Sequence, residues 1–291
     1  MRNLDTSLNW EIQQLPIFDT SGNQIEGYKQ IINDSTGEVL HVCKETFTPT
    51  RNEVLTETAH SLCQSGNFEI EGFATFKGGT KVMAYLKSKE APQMLGLAVS
   101  NYLVLGNGHD GTSSFFTGLT NQVYRCQNMF SSTNKQFRVT HTSGHDARVK
   151  GASETIELFY NQQTGFYEQM QDFASHQTSP TQKEDFANYV LDIKPNAEIS
   201  SRKENIKDRF LESINRETAD LGNNLFGLFN GATHYTSHVL NQKNPVFGNP
   251  FGHANTLNRK ALEYCLAEQE HGQPSRKTIF IPAPKTEILS F

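Results

Sequence analysis

The stretch "NFEIEGFATFKGGTKVMAYLKS", residues 67–88, decides the fold class. Two β-prone runs flank Gly78-Gly79, and such a pair around a glycine turn predicts a hairpin. In the second arm Val82, Ala84 and Leu86 alternate with Lys81, Met83, Tyr85 and Lys87. Successive side chains of a strand point to opposite faces, so one face reads as apolar and the other as basic and aromatic. Upstream, "GYKQIIND" and "EVLHVCKE" flank Ser35-Thr36-Gly37 as a second hairpin. Between the hairpins "TRNEVLTETAHSLCQSG" spaces Val54, Leu55, Ala59 and Leu62 as one face of a helix, with Gly66 as its stop.

Downstream, "LGLAVSNYLVLGN", "SSFFTGL", "QVYRCQN" and "QFRVTHT" read as further strands. After residue 150 the period changes. Leu158, Phe159, Phe166, Met170 and Phe173 recur at helical spacing, and four more helical segments follow, the last being "ANTLNRKALEYCLAEQE". Strands followed by helices indicate an α+β fold, here a mainly antiparallel curved sheet with a helical half packed on it. Residues 1–150 form the β-rich part, 151–275 the helical part and 276–291 an extended, proline-containing tail, within one integrated domain. The stripes of Phe159, Phe166, Met170, Phe173, Leu225, Phe226, Leu228 and Phe229 exceed what one cover over a sheet requires. Together with the tail they predict self-association into a homo-oligomer.

The net charge is −5, but it is unevenly spread. Residues 1–76 carry a balance of −7 and residues 152–220 a balance of −6. Between them, residues 77–89 hold Lys77, Lys81, Lys87 and Lys89 without an acid. Residues 120–151 hold Arg125, Lys135, Arg138, Arg148 and Lys150 against Asp146 alone. A local basic face attracts a polyanion whatever the total charge. The alternative is two basic segments pointing separately into water. The four cysteines, Cys43, Cys63, Cys126 and Cys265, form no CxxC pair, so no zinc ribbon or redox motif is expected. No secretory signal or membrane span is legible, which predicts a cytoplasmic protein with reduced thiols.

The loop Asn107-Gly108-His109-Asp110-Gly111 admits two readings. Its glycines suit a hairpin turn, so Gly111→Val is expected to cost more stability than His109→Ala. Alternatively the loop presents His109 to a ligand with Asp110 orienting the imidazole. Cys126 and Asn128 share a strand face, with His141 on the next strand as the base a nucleophilic thiol would need; the plainer reading is a buried thiol. His234 and His238 stand at helical i, i+4 spacing, but the acid of an HExxH motif is missing. A structural role for Asn230 and His238 between helices is favoured over a metal site. No phosphate-binding glycine motif is present, and neither cofactor nor metal is expected.

Several segments are similar to the uncharacterised phage/plasmid-like protein family, the YafZ/YfjQ-like group. They are "LNWEIQQLPIF", "TFTPTRNEV" with Phe47 where the family has Tyr, and "LVLGNGHDGTSS" with Gly108 where it has Ser. "VYRCQNMF" has Arg125 at a shifted position; "FRVTHT" and "FNGATHYTSH" complete the set. The resemblance spans residues 8–265 and singles out His109, Asp110, Gly111, Cys126, Asn128, His141, Asn230, Thr233, Tyr235 and His238. It implies a mobile-element context and supplies no mechanism.

The basic residues Lys77, Lys81, Lys87, Arg125, Lys135, Arg138, Arg148 and Lys150, with Tyr85 and Tyr124 beside them, form a candidate nucleic-acid-binding face. Cations meet phosphates and rings stack on bases, which is what sequence-tolerant single-strand binding uses. The expected function is therefore a non-enzymatic single-stranded DNA-binding protein, by analogy a strand-annealing or recombination factor. The alternatives are an enzyme centred on His109, Asp110, Cys126 and His141, and a protein-binding module that counteracts host defence.

Overall fold

The computed structural model describes residues 8–64, 66–90, 93–112, 115–123, 129–132, 138–139, 152–194, 198–240 and 252–271. Strands β1 (Ile12–Phe18), β2 (Gln24–Asn33) and β3 (Val39–Lys44) form a three-stranded antiparallel sheet in the order β1-β2-β3. Helix α1 (Asn52–Gln64) follows. A seven-stranded antiparallel sheet is then built from β4 (Phe68–Phe76), β5 (Lys81–Ser88), β6 (Gln93–Met94), β7 (Leu97–Gly108), β8 (Phe115–Val123), β9 (Met129–Ser132) and β10 (Arg138–Val139). Its path is β10-β8-β7-β5-β4, with β6 on β7 and β9 on β8. The β region is thus two sheets rather than one.

The second half is helical: α2 (Ala152–Ser175), α3 (Pro180–Val190), α4 (Ser201–Leu221), α5 (Leu225–His234) and α6 (His253–His271). Local sequence explains the starts. Ser179-Pro180-Thr181-Gln182 is a capping box: the Ser179 hydroxyl accepts from the Gln182 amide and the Gln182 side chain accepts from Ser179, with proline in the first turn. Asn224 caps α5 by accepting from Gly227 N at 2.8 Å. For α1 the cap comes instead from the residue just before β1. The Glu11 carboxylate accepts from the amides of Asn52 and Glu53 at 3.3 and 3.1 Å, fastening the small sheet to the helix.

Both hairpins predicted around glycine turns are present. Gly37 takes φ +71°, and Gly78 and Gly79 take φ +67° and +106° between β4 and β5. The alternation of β5 places Val82, Ala84 and Leu86 against Val54, Leu55, Ala59 and Leu62 of α1 and Phe159 of α2. The other face is not the basic, aromatic surface expected. Met83 and Tyr85 are buried there with Ala74, Phe76, Tyr102, Val104 and Phe116. β5 lies between β4 and β7, and its second face is buried among side chains from β4, β7 and β8.

The helices enclose a core that draws Met170, Phe173, Phe186, Phe210, Ile214, Leu225, Phe226, Leu228, Phe229 and Tyr264 together with Met94 and Val99 of the sheet. Most apolar stripe residues of the helical half lie in this core. Phe159, Met170, Phe173, Leu225, Phe226, Leu228 and Phe229 are buried, and Phe166 packs partly buried against the cores. Five helices around one core bury more apolar surface than a single layer would. The tail expectation falls on residues outside those described.

Candidate functional site

The loop between β7 and β8 is the meeting point of three segments that the sequence singled out separately. His109 is 0 % exposed. Its Nε2 lies 2.9 Å from Asn52 Oδ1, and its ring stands edge-on to Trp10 at 5.6 Å. Asn52 Nδ2 in turn donates to the Trp10 carbonyl at 2.7 Å. Asn107 Nδ2 donates to the Thr50 carbonyl at 3.0 Å, and His109 N to Thr80 O at 2.7 Å. The segment before β1, the entry to α1 and the β7–β8 loop are therefore cross-linked by buried side chains. These hydrogen bonds offset part of the cost of burying Asn, Thr and His side chains here.

Asp110 does not orient His109. Its carboxylate pairs with Lys81 at 3.3 Å and accepts from Thr112 N and Oγ1 at 3.0 and 2.7 Å. Burial would raise the Asp110 carboxyl, but the Thr112 hydrogen bonds and the Lys81 ammonium outweigh it and hold it below its usual value. Gly111 adopts φ +69°, and a Cβ there would lie 2.8 Å from His41 Nε2. Positive φ in this loop is thus confined to Gly111; Gly108 ends β7 opposite Lys81 in ordinary strand register.

The proposed basic face divides into three groups. Lys81 and Tyr85 are 4 % and 1 % exposed and are withdrawn from it: one holds Asp110 and Thr112, and the other lies in the core. Lys77 is exposed on the β4–β5 turn, and Lys87 is half-buried opposite Glu69 in the strand register. Arg138 lies in β10, paired in register with Phe116. Tyr124, Arg125, Lys135, Arg148 and Lys150 lie outside the described residues, as do Cys126, Asn128 and His141.

The motif residues of the helical half are brought together. Asn230 Nδ2 donates to Phe226 O at 2.9 Å and Thr233 Oγ1 to Asn230 O at 2.9 Å. The helix then widens into a π-turn at Tyr235–Val239, where the Tyr235 ring meets Phe210 at 5.1 Å. Thr236 Oγ1 lies 2.8 Å from Asn258 Oδ1 of α6. His238 is exposed, with its ring 5.0 Å from that of buried His234. Burial, aided by the neighbouring His238 and Arg216, pushes the His234 pKa down to about 4. Among the described residues no group of three or more His, Cys, Asp or Glu could hold a metal ion. The described thiols are not activated either. Burial raises Cys43, Cys63 and, most strongly, Cys265.

Trp10, Glu11, Asn52, Asn101 and Asn258 anchor these polar contacts although the sequence does not single them out, even where "LNWEI" and "TRNEV" stand out as motifs. Asn101 is fully buried and bonded through both amide atoms to the Tyr167 hydroxyl of α2, at 2.7 and 2.9 Å. Apart from the recurrence of Asn, no local signal points to such pairs.

These features define an α+β protein in which antiparallel sheets are joined to a helical half by buried polar contacts. Residues 39–262 match the family described as Domain of unknown function (DUF932), and the chain belongs to that family. Neither a curated protein nor a solved structure gives a match. No described helix is long and apolar enough to cross a membrane.

Proposed function

We propose that the protein binds single-stranded nucleic acid through the basic segment 120–151, within the phage or plasmid setting that the motif resemblance implies. The observation carrying this reading is the charge segregation. Five cations and one acid occupy that segment in a chain of net charge −5. Further support is topological: β9 and β10, described parts of the segment together with the end of β8, pair with β8 at the edge of the large sheet. A segment rich in Arg and Lys offers cations to a phosphate backbone, and counterion release then drives binding. Lys77 extends the same electrostatic attraction, whereas Lys81 is committed to Asp110.

Gel-shift titration against single strands, duplex and RNA at two salt concentrations tests the proposal. Single-strand affinity should fall by about 0.7 in log K per phosphate contact for each decade of salt. Changing Lys135, Arg138, Arg148 and Lys150 to Ala should reduce slope and affinity together. Lys81→Ala should leave the slope unchanged and instead lower the melting temperature. Absence of binding at low salt sinks the reading.

A further inference from the structure

His234 and His238 stand apart from both the β7–β8 loop and the basic segment, on the turn where α5 widens. Leu240 N donates to Tyr235 O at 2.8 Å and closes this π-turn. The turn is held from two sides. Arg209 of α4 donates to Val239 O at 3.0 Å, and Thr236 Oγ1 lies 2.8 Å from Asn258 Oδ1 of α6. Single π-turns inside helices recur at functional sites. The two imidazole centres are 5.0 Å apart, with their planes at 43°. His238 is exposed rather than enclosed between helices. His234 is 7 % exposed, and its Nδ1 is buried with no hydrogen-bond partner among the described residues. A buried nitrogen of that kind calls for a partner, and a bound ion supplies one.

We infer that His234 and His238 bind one zinc ion between them. An imidazole nitrogen holds zinc at about 2.0–2.1 Å, which sets the metal roughly 3.2 Å from the ring centre. Two rings on one tetrahedral ion therefore have centres about 5 Å apart. The observed 5.0 Å meets that requirement. The protonation state agrees with the geometry. Only neutral imidazole ligates a metal, and burial holds the His234 pKa down at about 4, so its ring is uncharged near neutral pH. Two protein ligands leave two tetrahedral positions open to water or an anion, as catalytic rather than structural zinc sites leave a position open. Arg216 works against the ion. Its guanidinium already disfavours positive charge on His234, and it repels a dication there for the same reason.

Calorimetric titration of the full chain, dialysed free of metal, with zinc chloride near neutral pH tests the site. One ion per chain should bind, with a micromolar dissociation constant. His238→Ala should weaken binding about tenfold or more while leaving the metal-free melting temperature at the wild-type value, because the side chain is exposed. Arg216→Gln should tighten binding several-fold, a change that a pair of histidines with a packing role alone does not produce. Cobalt(II) serves as a second probe. It should give the intense visible absorption of a tetrahedral ion in the wild type and lose it in His238→Ala. Absence of saturable zinc binding overturns the inference. So does an affinity unchanged in His238→Ala, which would assign the ion to other histidines of the chain.

Discussion

His109 and Gly111 act on stability through different physics. Gly111→Val combines a strained positive φ with a contact against His41, and His109→Ala leaves buried Asn52 Oδ1 without its partner. The expected losses are about 3 and about 2 kcal/mol, so the gap foreseen from turn chemistry alone narrows. Urea denaturation measures both; a His109→Ala protein as stable as wild type would show that the Asn52 contact contributes nothing. His234 supplies a pH dependence. Its folded pKa of about 4 lies below the ordinary 6.5, so the unfolded chain takes up a proton first as pH falls. Its contribution is complete above pH 6.5 and is lost progressively toward pH 4. The limit is roughly 3 kcal/mol from the size of that shift. His234→Gln should flatten the stability–pH curve in this window, and an unchanged curve would place the titration elsewhere.

At the scale of elements, glycine sets how closely neighbours approach. Gly227 and Gly231 lie one helical turn apart on the α5 face that meets α4. A Cβ at Gly231 would stand 2.5 Å from Ile214 Cα, which is backbone and cannot move aside. Gly231→Ala should therefore destabilise by ~1–3 kcal/mol, by overpacking. Gly106 pairs with Phe116 across β7 and β8, and a Cβ there would fall 2.2 Å from the ring. Here the obstacle is a side chain, so Gly106→Ala should cost less in a Phe116→Leu background. A double-mutant cycle on melting curves should give a coupling of about 1 kcal/mol or more, and additive effects would contradict the ring-on-glycine packing. The motif "GLFNG" was legible as helix, but its spacing alone does not say which neighbour the two glycines face.

For the whole molecule, the surface left over after folding differs from the one the sequence suggested. Among the described residues, the helical stripes are interior and most exposed large apolar side chains lie on the small N-terminal sheet. Lys81 and Tyr85 are buried, and the concentrated positive charge to be tested against polyanions is the run of cations within residues 120–151.

Local chemistry determined the elements. Glycine turns at 37 and 78–79, the capping box at Ser179 and helical periodicity after residue 150 each act over a few residues, so the order of strands and helices is written in the chain. Alternation in β5 correctly separated Val82, Ala84 and Leu86 from Met83 and Tyr85, but a period of two states only that faces differ. Which face meets water depends on what packs over the sheet, a relation among residues far apart in sequence. The same holds for the partners of Lys81 and His109. Asp110 lies 29 residues from Lys81 and Asn52 lies 57 from His109, and only the closing of sheet, helix and loop around one another brings those charges and hydrogen-bonding groups within reach.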